Sequence, residues 1–476
     1  MSFFLGIDLG TSYFKAGIFD RSGQLKGLGR KPVSKNSGDG IRCELKITVF
    51  WETLYSCVKE AIQNACISPD EIQTVSYSSQ ANSFVLLDQF DQPLTPLILW
   101  PDQRVKVIPS NLQALIDNPN FHSITGLGIE PGVQSLVAKT DWFRNNELLI
   151  WNQTKSIMSI SDYFTFIITG KKISDYSTSS MTGLLNVKKR EWWQEALKDL
   201  NIDEGYLSSP ANTGKLVGEL TPKGAQLLGL STQTLFFLGG LDHHIVAFGA
   251  GLENFNYISE STGTVLACVN YQKGYHPRKG VNIAPGLKEN FFFQMGFDEN
   301  GAVALEWYQK KHINEFSIVE LLKIAEDIEP GSEGLIAKPN ANRFTGLKGF
   351  RCVKDYHLTP HFVRAILESN SLSLLKLIKE LDKAGSAKAI IPSGGGAQSC
   401  LWLQIKADVL NMKFILLNCS ELACQGAAMI GVIGTSHPVN SKEIVENWTQ
   451  FKQVIHPNPM NVVKYKNWYN NIRNKN

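Results

Sequence analysis

The segment FFLGIDLGTSYFKAGIF, residues 3–19, decides the fold class of this chain. Its apolar run from Phe3 to Ile7 predicts a buried strand, and Lys15 to Phe19 predicts the hairpin partner of that strand. The turn between them contains Gly10-Thr11-Ser12. An ordinary hairpin has the same pattern, so this segment alone leaves a structural and a ligand-binding interpretation open.

The residue types in this turn suit a phosphate and its metal ion. Gly10 allows a ligand to approach the backbone closely, and consecutive amides with the hydroxyls of Thr11 and Ser12 can hold a phosphate. Asp8 ends the strand with a carboxylate, and hard cations such as Mg²⁺ select carboxylate oxygens, directly or through water. Lys15 follows, where it can serve the phosphate or merely cap the second strand.

A related strand, turn and strand recur in the second half of the chain. Residues 256–259 lead into Ser261-Thr262-Gly263-Thr264, and Val265 to Val269 predicts the following strand. Two such turns could lie face to face across a cleft and hold a nucleotide between two domains. A plain hairpin turn is again the alternative.

A glycine run, Gly394-Gly395-Gly396, is the third candidate for nucleotide binding. It follows a predicted strand, Ala389 to Pro392, and precedes a predicted helix that begins near Ser399. Glycines let a ribose or a flat ring lie against the backbone, and a helix N-terminus favours anions. The run lacks the G-x-G-x-x-G spacing of dinucleotide sites and the Lys-Ser/Thr of a P-loop, which disfavours both of those classes.

Asp242 is the candidate catalytic base. It follows an apolar strand, Leu235 to Leu238, and two glycines, and it precedes His243 and His244. A carboxylate in this place can accept the proton of an attacking hydroxyl, a role worth ~10²–10⁴-fold in rate. The alternative role is a helix N-cap. A zinc site on the two histidines is disfavoured, because adjacent residues seldom reach one ion.

A polar cluster in the first half of the chain suits a polyhydroxylated ligand. Amide, carboxylate and guanidinium groups beside an aromatic ring supply the hydrogen bonds and the stacking surface that such a ligand needs. The residues concerned lie at predicted strand and loop ends and are Gln80, Asn82, Trp100, Asp102 and Arg104.

Length and composition exclude several classes of protein. The chain has 476 residues with 43% hydrophobic content, enough for two cores, and a net charge of +3 that gives no case for a nucleic-acid or membrane partner. No apolar run reaches ~18 residues. The eight cysteines form no C-x-x-C pair and lie in mainly apolar stretches, so we expect buried, reduced thiols in a cytoplasmic protein.

In their order along the chain, these segments resemble the FGGY carbohydrate kinase family over about the whole length. The segments are Asp8 to Thr11, Leu99 to Arg104, Gly239 to Asp242, Ser261 to Thr264, His361 to Glu368, Gly394 to Gly396 and Gln425 to Ala428. The resemblance implies an α/β protein with two ribonuclease H-like domains of the actin/hexokinase/Hsp70 type around a deep cleft. We place a sugar-binding domain at residues 1–251 and a nucleotide-binding domain at 252–476.

The resemblance also implies the ligands and the residues that bind them. ATP and Mg²⁺ would be bound, with Asp8 near the metal, and the sugar would contact the polar cluster together with Asp242 and His243. Asp242 would be the base, and Thr11 with Thr262 to Thr264 would contact the phosphates. Gly395, Gly396 and Gln398 would face the adenosine. The sequence leaves the oligomeric state open, a homodimer being one option.

The substrate is less well determined than the family. Residues 80–83, Gln-Ala-Asn-Ser, stand where xylulose kinases carry Gln-Met-His-Gly and glycerol kinases an Arg-Glu pair, which disfavours glycerol. Residues 96–104 resemble the xylulose kinases, whereas residues 241–251 and 401–411 resemble the L-fuculose kinases. The first family signature is only partly kept, as Lys139 to Trp142. A ketopentose is favoured; a deoxyketohexose, or an actin- or Hsp70-type ATPase switch without sugar kinase activity, is the alternative.

Overall fold

The computed structural model describes residues 2–36, 38, 40–253, 256–263, 265–339, 347–435 and 441–473. The chain forms two compact units. The first comprises Met1–Asn254, Tyr271–Gln294 and Glu421–Thr449, and the second Phe255–Asn270, Met295–Ser420 and Gln450–Asn476. No helix in the described ranges is long and apolar enough to cross a membrane.

The strands of the described residues run in chain order as follows: β1 (Phe3–Leu9), β2 (Tyr13–Asp20), β3 (Leu25–Pro32), β4 (Glu44–Leu45), β5 (Ile72–Ser79), β6 (Phe84–Leu87), β7 (Leu97–Ile98), β8 (Ser156–Ser159), β9 (Ile173–Asp175), β10 (Leu185–Asn186), β11 (Glu191–Trp192), β12 (Ser209–Ala211), β13 (Leu216–Glu219), β14 (Leu235–Phe237), β15 (Gly240–Leu241), β16 (Tyr257–Thr262), β17 (Leu266–Lys273), β18 (Asn282–Pro285), β19 (Phe291–Asp298), β20 (Ile336–Pro339), β21 (Leu347–Arg351), β22 (Ala389–Ser393), β23 (Phe414–Leu417) and β24 (Phe451–Ile455).

The α-helices of the same residues are α1 (Ile47–Ala65), α2 (Ser110–Ile116), α3 (Phe121–Thr125), α4 (Leu136–Asn146), α5 (Leu148–Gln153), α6 (Ile160–Thr169), α7 (Tyr176–Ser179), α8 (Gln194–Asp199), α9 (Pro222–Leu228), α10 (Asp242–Gly249), α11 (Val303–His312), α12 (Ile318–Ile324), α13 (Thr359–Leu381), α14 (Cys400–Leu410), α15 (Leu422–Thr435), α16 (Ser441–Trp448) and α17 (Pro459–Arg473).

The first unit is built on a sheet with the order β13-β14-β5-β1-β2-β3, in which β15 also pairs with β5. Strand β1 is antiparallel to β2 and parallel to β5. Glycines allow helices to pack closely on this sheet. A Cβ atom at Gly29 would lie 1.9 Å from the Cys57 carbonyl oxygen of α1, and one at Gly6 would lie 1.9 Å from the Cys424 carbonyl oxygen of α15.

The second unit repeats the central strand arrangement of the first. Within it the sheet order is β17-β16-β22-β23-β24, with β16 antiparallel to β17 and parallel to β22. The predicted repeat of strand, turn and strand is therefore confirmed, and the mixed α/β class with it. Helices α13 and α14 pack against each other in this unit and bury apolar residues such as Val363, Leu367 and Ile405.

Two expectations need correction. Cys66, Cys352 and Cys400 are exposed, so the expectation of buried thiols holds for only part of the set, although none of the eight cysteines, all of which the structure describes, forms a disulfide bond. An apolar neighbourhood in the sequence does not bury a residue at a helix end, and Cys66 and Cys400 lie at ends of α1 and α14. The second concerns the strand predicted from Leu235 to Leu238: β14 ends at Phe237, and Gly240 and Leu241 form a separate short strand, β15, before Asp242.

Candidate active site

Strand register brings the two candidate catalytic carboxylates to one edge of the first sheet. Leu9 of β1 and Leu241 of β15 both pair with Ser79 of β5, and all three strands are parallel. Asp8 precedes Leu9, and Asp242 follows Leu241 directly. The carboxyl ends of parallel strands in α/β sheets are where ligands bind, so both carboxylates lie where chemistry is expected.

The carboxyl group of Asp8 is held in an environment that disfavours its charge. Its Oδ1 accepts a hydrogen bond of 3.2 Å from Ser78 Oγ. Burial raises the pKa of Asp8 to about 7, with smaller contributions in the same direction from Asp242 and Glu421, while Lys15 opposes the rise. Three carboxyl groups thus face one lysine, and a bound cation would relieve this imbalance.

The other residues predicted to bind phosphate at the first turn differ in their contacts and in their exposure. Lys15 Nζ lies 2.6 Å from Glu421 Oε2, so the ammonium group already has a carboxylate partner. A Cβ atom at Gly10 would lie 2.7 Å from the Tyr13 carbonyl oxygen, which is why the turn needs glycine at this position. Ser12 is exposed. Their phosphate contacts stay predictions.

Thr11 is joined to the predicted sugar residues by hydrogen bonds. Its Oγ1 donates to Gln80 Oε1 at 3.2 Å and accepts from the Trp100 indole at 2.7 Å. Gln80 is buried and also donates to the Leu9 carbonyl at 3.1 Å, while Ser83 Oγ donates to Gln80 Oε1 at 2.8 Å. The structure thus brings Thr11, Gln80 and Trp100 together, and the hydrogen bonds of Gln80 hold the turn in place.

Lys139 also lies in this region, and its structural role could not be predicted from the sequence. Its fully buried ammonium group donates to the carbonyls of Asn82, Leu99 and Trp100 at 3.2, 3.0 and 3.3 Å. Asn82 has a φ of 60° and accepts the Leu136 amide at its Oδ1 at 3.0 Å. Burial lowers the pKa of Lys139 to about 7. Lys139 therefore ties the Asn82 turn to the Trp100 turn.

Asp102 and Arg104 are buried and bind each other. Arg104 Nε lies 2.7 Å from Asp102 Oδ1, its second contact is Glu44, and Asp102 Oδ2 accepts the Cys43 amide at 2.8 Å. Burial raises the pKa of Asp102, but the hydrogen bonds from Arg104 and Cys43 outweigh it and lower the pKa overall. Their predicted sugar contacts stay a prediction, and the observed bonds give both residues a structural role.

Asp242 opens helix α10, and its neighbours differ in environment. It is the first residue within the helix, not the N-cap, and its Oδ1 accepts the His243 amide at 2.7 Å. Asp242 and His243 are partly exposed, whereas His244 is buried, stacks on Phe293 at 4.6 Å and contacts Ser177 Oγ at 2.8 Å. Burial lowers the pKa of His244 to about 3, so this imidazole is neutral.

In the second unit, the two candidate nucleotide turns leave neighbouring strands at the same edge. Ser261 of β16 pairs with Ser393 of β22, directly before each turn. Gly263 is partly buried, and its amide donates to the Val265 carbonyl at 3.0 Å within the turn itself. Thr264 lies outside the described residues.

The glycine run packs directly on the first of these turns. A Cβ atom at Gly396 would lie 2.7 Å from Thr262 Cβ, and one at Gly394, whose φ is +77°, would lie 3.0 Å from the Thr262 carbonyl oxygen. Gly395 and Gln398 are exposed. Backbone approach to a ligand is thus sterically open at Gly395, where an added Cβ would meet nothing within 4 Å.

The hydroxyl of Thr262 is bound inward rather than outward. Its Oγ1 accepts from Lys406 Nζ at 2.7 Å and donates to Glu260. Both charged side chains are fully buried. This cluster could not be predicted from the sequence, because a lysine in the middle of a helix is ordinarily exposed.

The described residues fit a magnesium ion that is shared with phosphate. No group of three or more histidine, cysteine, aspartate or glutamate side chains could form a metal cage among them. Mg²⁺ in phosphoryl-transfer sites usually takes one or two carboxylates, water and phosphate oxygens. Asp8, with its raised pKa and neighbouring carboxylates, is the donor that such an ion would use.

Comparison with known proteins gives a consistent result along the whole chain. The model of the FGGY family of carbohydrate kinases, N-terminal domain, matches residues 3–249, and the C-terminal domain model matches residues 328–435. A xylulose kinase of Bacillus subtilis (strain 168) is 26% identical, with 100% of this chain and 96% of the relative covered. A xylulose kinase of Lactococcus lactis is 27% identical, with 98% and 95% covered.

A gluconokinase of Bacillus subtilis is also 26% identical, over a smaller share of both chains, with 91% of this chain and 88% of the relative covered. Among solved structures, a ligand-bound xylulose kinase from Lactobacillus acidophilus has a TM-score of 0.85 at 22% identity, covering 100% and 98% of the two chains. A xylulose kinase from Rhodospirillum rubrum has a TM-score of 0.86 at 22% identity, covering 98% and 97%. These structures agree with the fold class inferred from the sequence.

Proposed function

The chain belongs to the FGGY family of carbohydrate kinases, and on that premise we propose that it phosphorylates a xylulose-like ketopentose. Membership makes it an ATP-dependent sugar kinase, with ATP and a sugar as its small-molecule partners. The observation that carries the reaction chemistry is the meeting of Asp8 and Asp242 at one edge of the first sheet. The relatives from Bacillus subtilis and Lactococcus lactis are xylulose kinases, which supports a ketopentose.

Asp242 is proposed as the general base and Asp8 as the residue that serves Mg²⁺. A base must be accessible to the hydroxyl proton, and Asp242 is partly exposed at the start of a helix. Asp8 has a pKa near 7 without metal, so a cation would stabilise its ionised form. The two carboxylates would thus have different roles: Asp242 would accept the proton, and Asp8 would hold the Mg²⁺, whose charge would offset that of the phosphates.

The charges around the predicted sugar residues favour a neutral sugar over gluconate. A carboxylate substrate calls for a cation with free hydrogen-bonding capacity. Two cations lie among the predicted sugar residues and their described neighbours, and both already have partners. Arg104 is bound to Asp102 and Glu44, and the ammonium group of Lys139 donates hydrogen bonds to three carbonyls. Gluconate is therefore the second candidate, supported by the similarity of the chain to gluconokinases.

We further propose that residues 1–251 bind the sugar and residues 252–476 the nucleotide. The turns at Thr262 and at Gly394 to Gly396 would then hold ATP. Thr262 would contribute through its backbone, since its hydroxyl is bound to Lys406 and Glu260. A cytoplasmic location and a homodimer remain predictions.

A coupled ADP-release assay tests this function. The purified chain with Mg-ATP is offered D- and L-xylulose, L-fuculose, glycerol and gluconate at equal concentration. We expect a ketopentose to give the highest kcat/KM. A clear preference for gluconate or L-fuculose would contradict the substrate, and ATP hydrolysis that no sugar stimulates would contradict the sugar kinase assignment of the site.

A further inference from the structure

Lys406 of helix α14 makes a fully buried ion pair beside the turn that ends strand β16. Its Nζ lies 2.9 Å from Glu260 Oε1 and 2.7 Å from Thr262 Oγ1, and the side chains of Lys406 and Glu260 are both 0% exposed. Thr262 completes the cluster by donating to the same Glu260 oxygen. These three residues are called the buried triad below.

The buried triad also contacts the glycine run. A Cβ atom at Gly396 would lie 2.7 Å from Thr262 Cβ and 3.5 Å from Lys406 Nζ, so the backbone of Gly396 rests on both side chains. Ser393 Oγ donates to the Glu260 carbonyl at 3.0 Å, which joins the two strands just before their turns. One ammonium group therefore lies at the junction of both candidate nucleotide turns.

Stability alone does not account for this ion pair. Removing two charges from water costs several kcal/mol per ion, and replacing such a pair by apolar residues is often neutral or stabilising, by about 1–4 kcal/mol. The ion pair does, however, neutralise the negative charge of Glu260, which would otherwise repel an anionic ligand at the two turns. Oε2 of Glu260 has no hydrogen-bond partner among the described residues, so Lys406 is the cation that neutralises this carboxylate.

We propose that Lys406 and Glu260 are positioning residues for the nucleotide phosphates. They fix the rotamer of Thr262, and through it the backbone of both turns, while Lys406 cancels the negative charge of Glu260 beside an anionic ligand. The proposal rests on the proposed function, in that the two turns must be where ATP binds. It assigns no contact between Lys406 and the nucleotide itself.

Titration of the full-length chain with Mg-ADP and with adenosine tests the proposal independently of the sugar. In Lys406→Met the carboxylate of Glu260 is left uncompensated, and we expect ADP affinity to fall by about tenfold or more, which corresponds to about 1.4 kcal/mol. Adenosine, which carries no phosphate, should change less than twofold. The double variant Glu260→Gln/Lys406→Met removes both charges, and its ADP affinity should recover at least half of the loss on a logarithmic scale.

Arg364→Met is the matched control, because Arg364 and Glu368 form another buried ion pair in the same unit, at 3.2 Å with 6% and 0% exposure. Equal losses of ADP affinity in Arg364→Met and Lys406→Met, or equal losses for ADP and adenosine, would overturn the positioning role. If Lys406→Met does not fold, the double variant decides, since its ADP affinity should stay within about tenfold of the wild type. Wild-type protein that binds no Mg-ADP would overturn the proposed nucleotide site itself.

Discussion

The two turns that follow β1 and β16 share one topology but differ in the ion pair behind each turn. In both, the preceding strand is antiparallel to the next strand and parallel to a later one. Behind the first turn, Lys15 and Glu421 pair at 2.6 Å with 25% and 17% of their side chains exposed. Behind the second, Lys406 and Glu260 pair at 2.9 Å with neither exposed.

The two turns also differ in the side chains that a ligand could reach. The first turn lies beside two carboxylates at a sheet edge, and one of them, Asp8, has a strongly raised pKa. At the second turn the hydroxyl of Thr262 is bound inward, so Thr262 can offer a ligand its backbone but not its hydroxyl. Under the proposed function, the same local fold would act as a reactive edge in the first unit and as a binding surface in the second.

The largest effect should come from removing the proposed base of the reactive edge. We expect Asp242→Asn to lower kcat by at least about 100-fold, because the amide cannot accept the hydroxyl proton. ADP affinity should be unchanged within twofold, as measured by titration of the same preparation. Asp117→Asn, at an exposed helix end in the same unit, is the matched control. Near-normal turnover in Asp242→Asn would remove this residue from the base role.

The buried pair should dominate the stability difference between the two turns. Lys406→Met leaves Glu260 buried without its countercharge, and breaking one side of a buried pair costs about 3–5 kcal/mol. Denaturant unfolding of the purified variant measures this loss in the free energy of unfolding. The double variant Glu260→Leu/Lys406→Leu should lose much less, and a double variant as unstable as the single one would contradict the electrostatic explanation.

The reactive edge should also carry a pH-dependent cost in stability. The folded-state pKa of Asp8 is about 7, above its ordinary value. Between about pH 4 and pH 7 the folded state therefore retains a proton that the unfolded state has lost. The free energy of unfolding then falls as pH rises, by at most about 1.4 kcal/mol per pH unit.

Asp8→Asn removes this titration, and under the proposed function we expect it to abolish metal-dependent activity as well. In EDTA, the variant should be more stable than the wild type at pH 8, by about 1–4 kcal/mol, and equal to it at pH 4. Thermal and urea unfolding at both pH values measure the difference. Asp70→Asn, at an exposed position in the same unit, is the control. A stability difference that does not change with pH would show that folding does not raise the pKa of Asp8.

The binding surface should be sensitive to volume at one glycine and not at its neighbour. An added methyl group at Gly396 would lie 2.7 Å from Thr262 Cβ, so the turn must shift, and such overpacking costs about 1–3 kcal/mol. We expect Gly396→Ala to weaken Mg-ADP binding. At Gly395 an added Cβ meets nothing within 4 Å, so Gly395→Ala should change stability by less than about 0.5 kcal/mol. Equal effects would contradict the packing described.

Most of the backbone plan could be predicted from the sequence because its signals are local. Apolar runs and glycines predicted β1, β2, β16, β22 and α14, and the turn chemistry indicated both candidate ligand sites. Strand register then placed Asp8 and Asp242 together, which the sequence supported only through resemblance to the family. The surroundings of a residue can be predicted best where its own strand and turn determine them.

The interior partners of these turns could not be predicted, because they depend on contacts between distant segments. Lys139 and Lys406 occupy helices whose sequences would place a lysine in solvent, yet both are fully buried. Their partners are carbonyls and a carboxylate that lie 39 to 146 residues away in the chain. The burial of the Asp102–Arg104 pair could not be predicted for the same reason, because the contact of Arg104 with Glu44 spans 60 residues.

The smallest effect should come from the ion pair behind the first turn. Lys15 and Glu421 are partly exposed, and ion pairs of this kind contribute about 0.2–1 kcal/mol, because water already stabilises both charges. Lys15→Met should therefore cost at most about 1 kcal/mol in urea unfolding, and less in high salt. The salt series is the control, since a loss from packing would not respond to it. A loss as large as that of Lys406→Met would mean that burial does not distinguish the two turns.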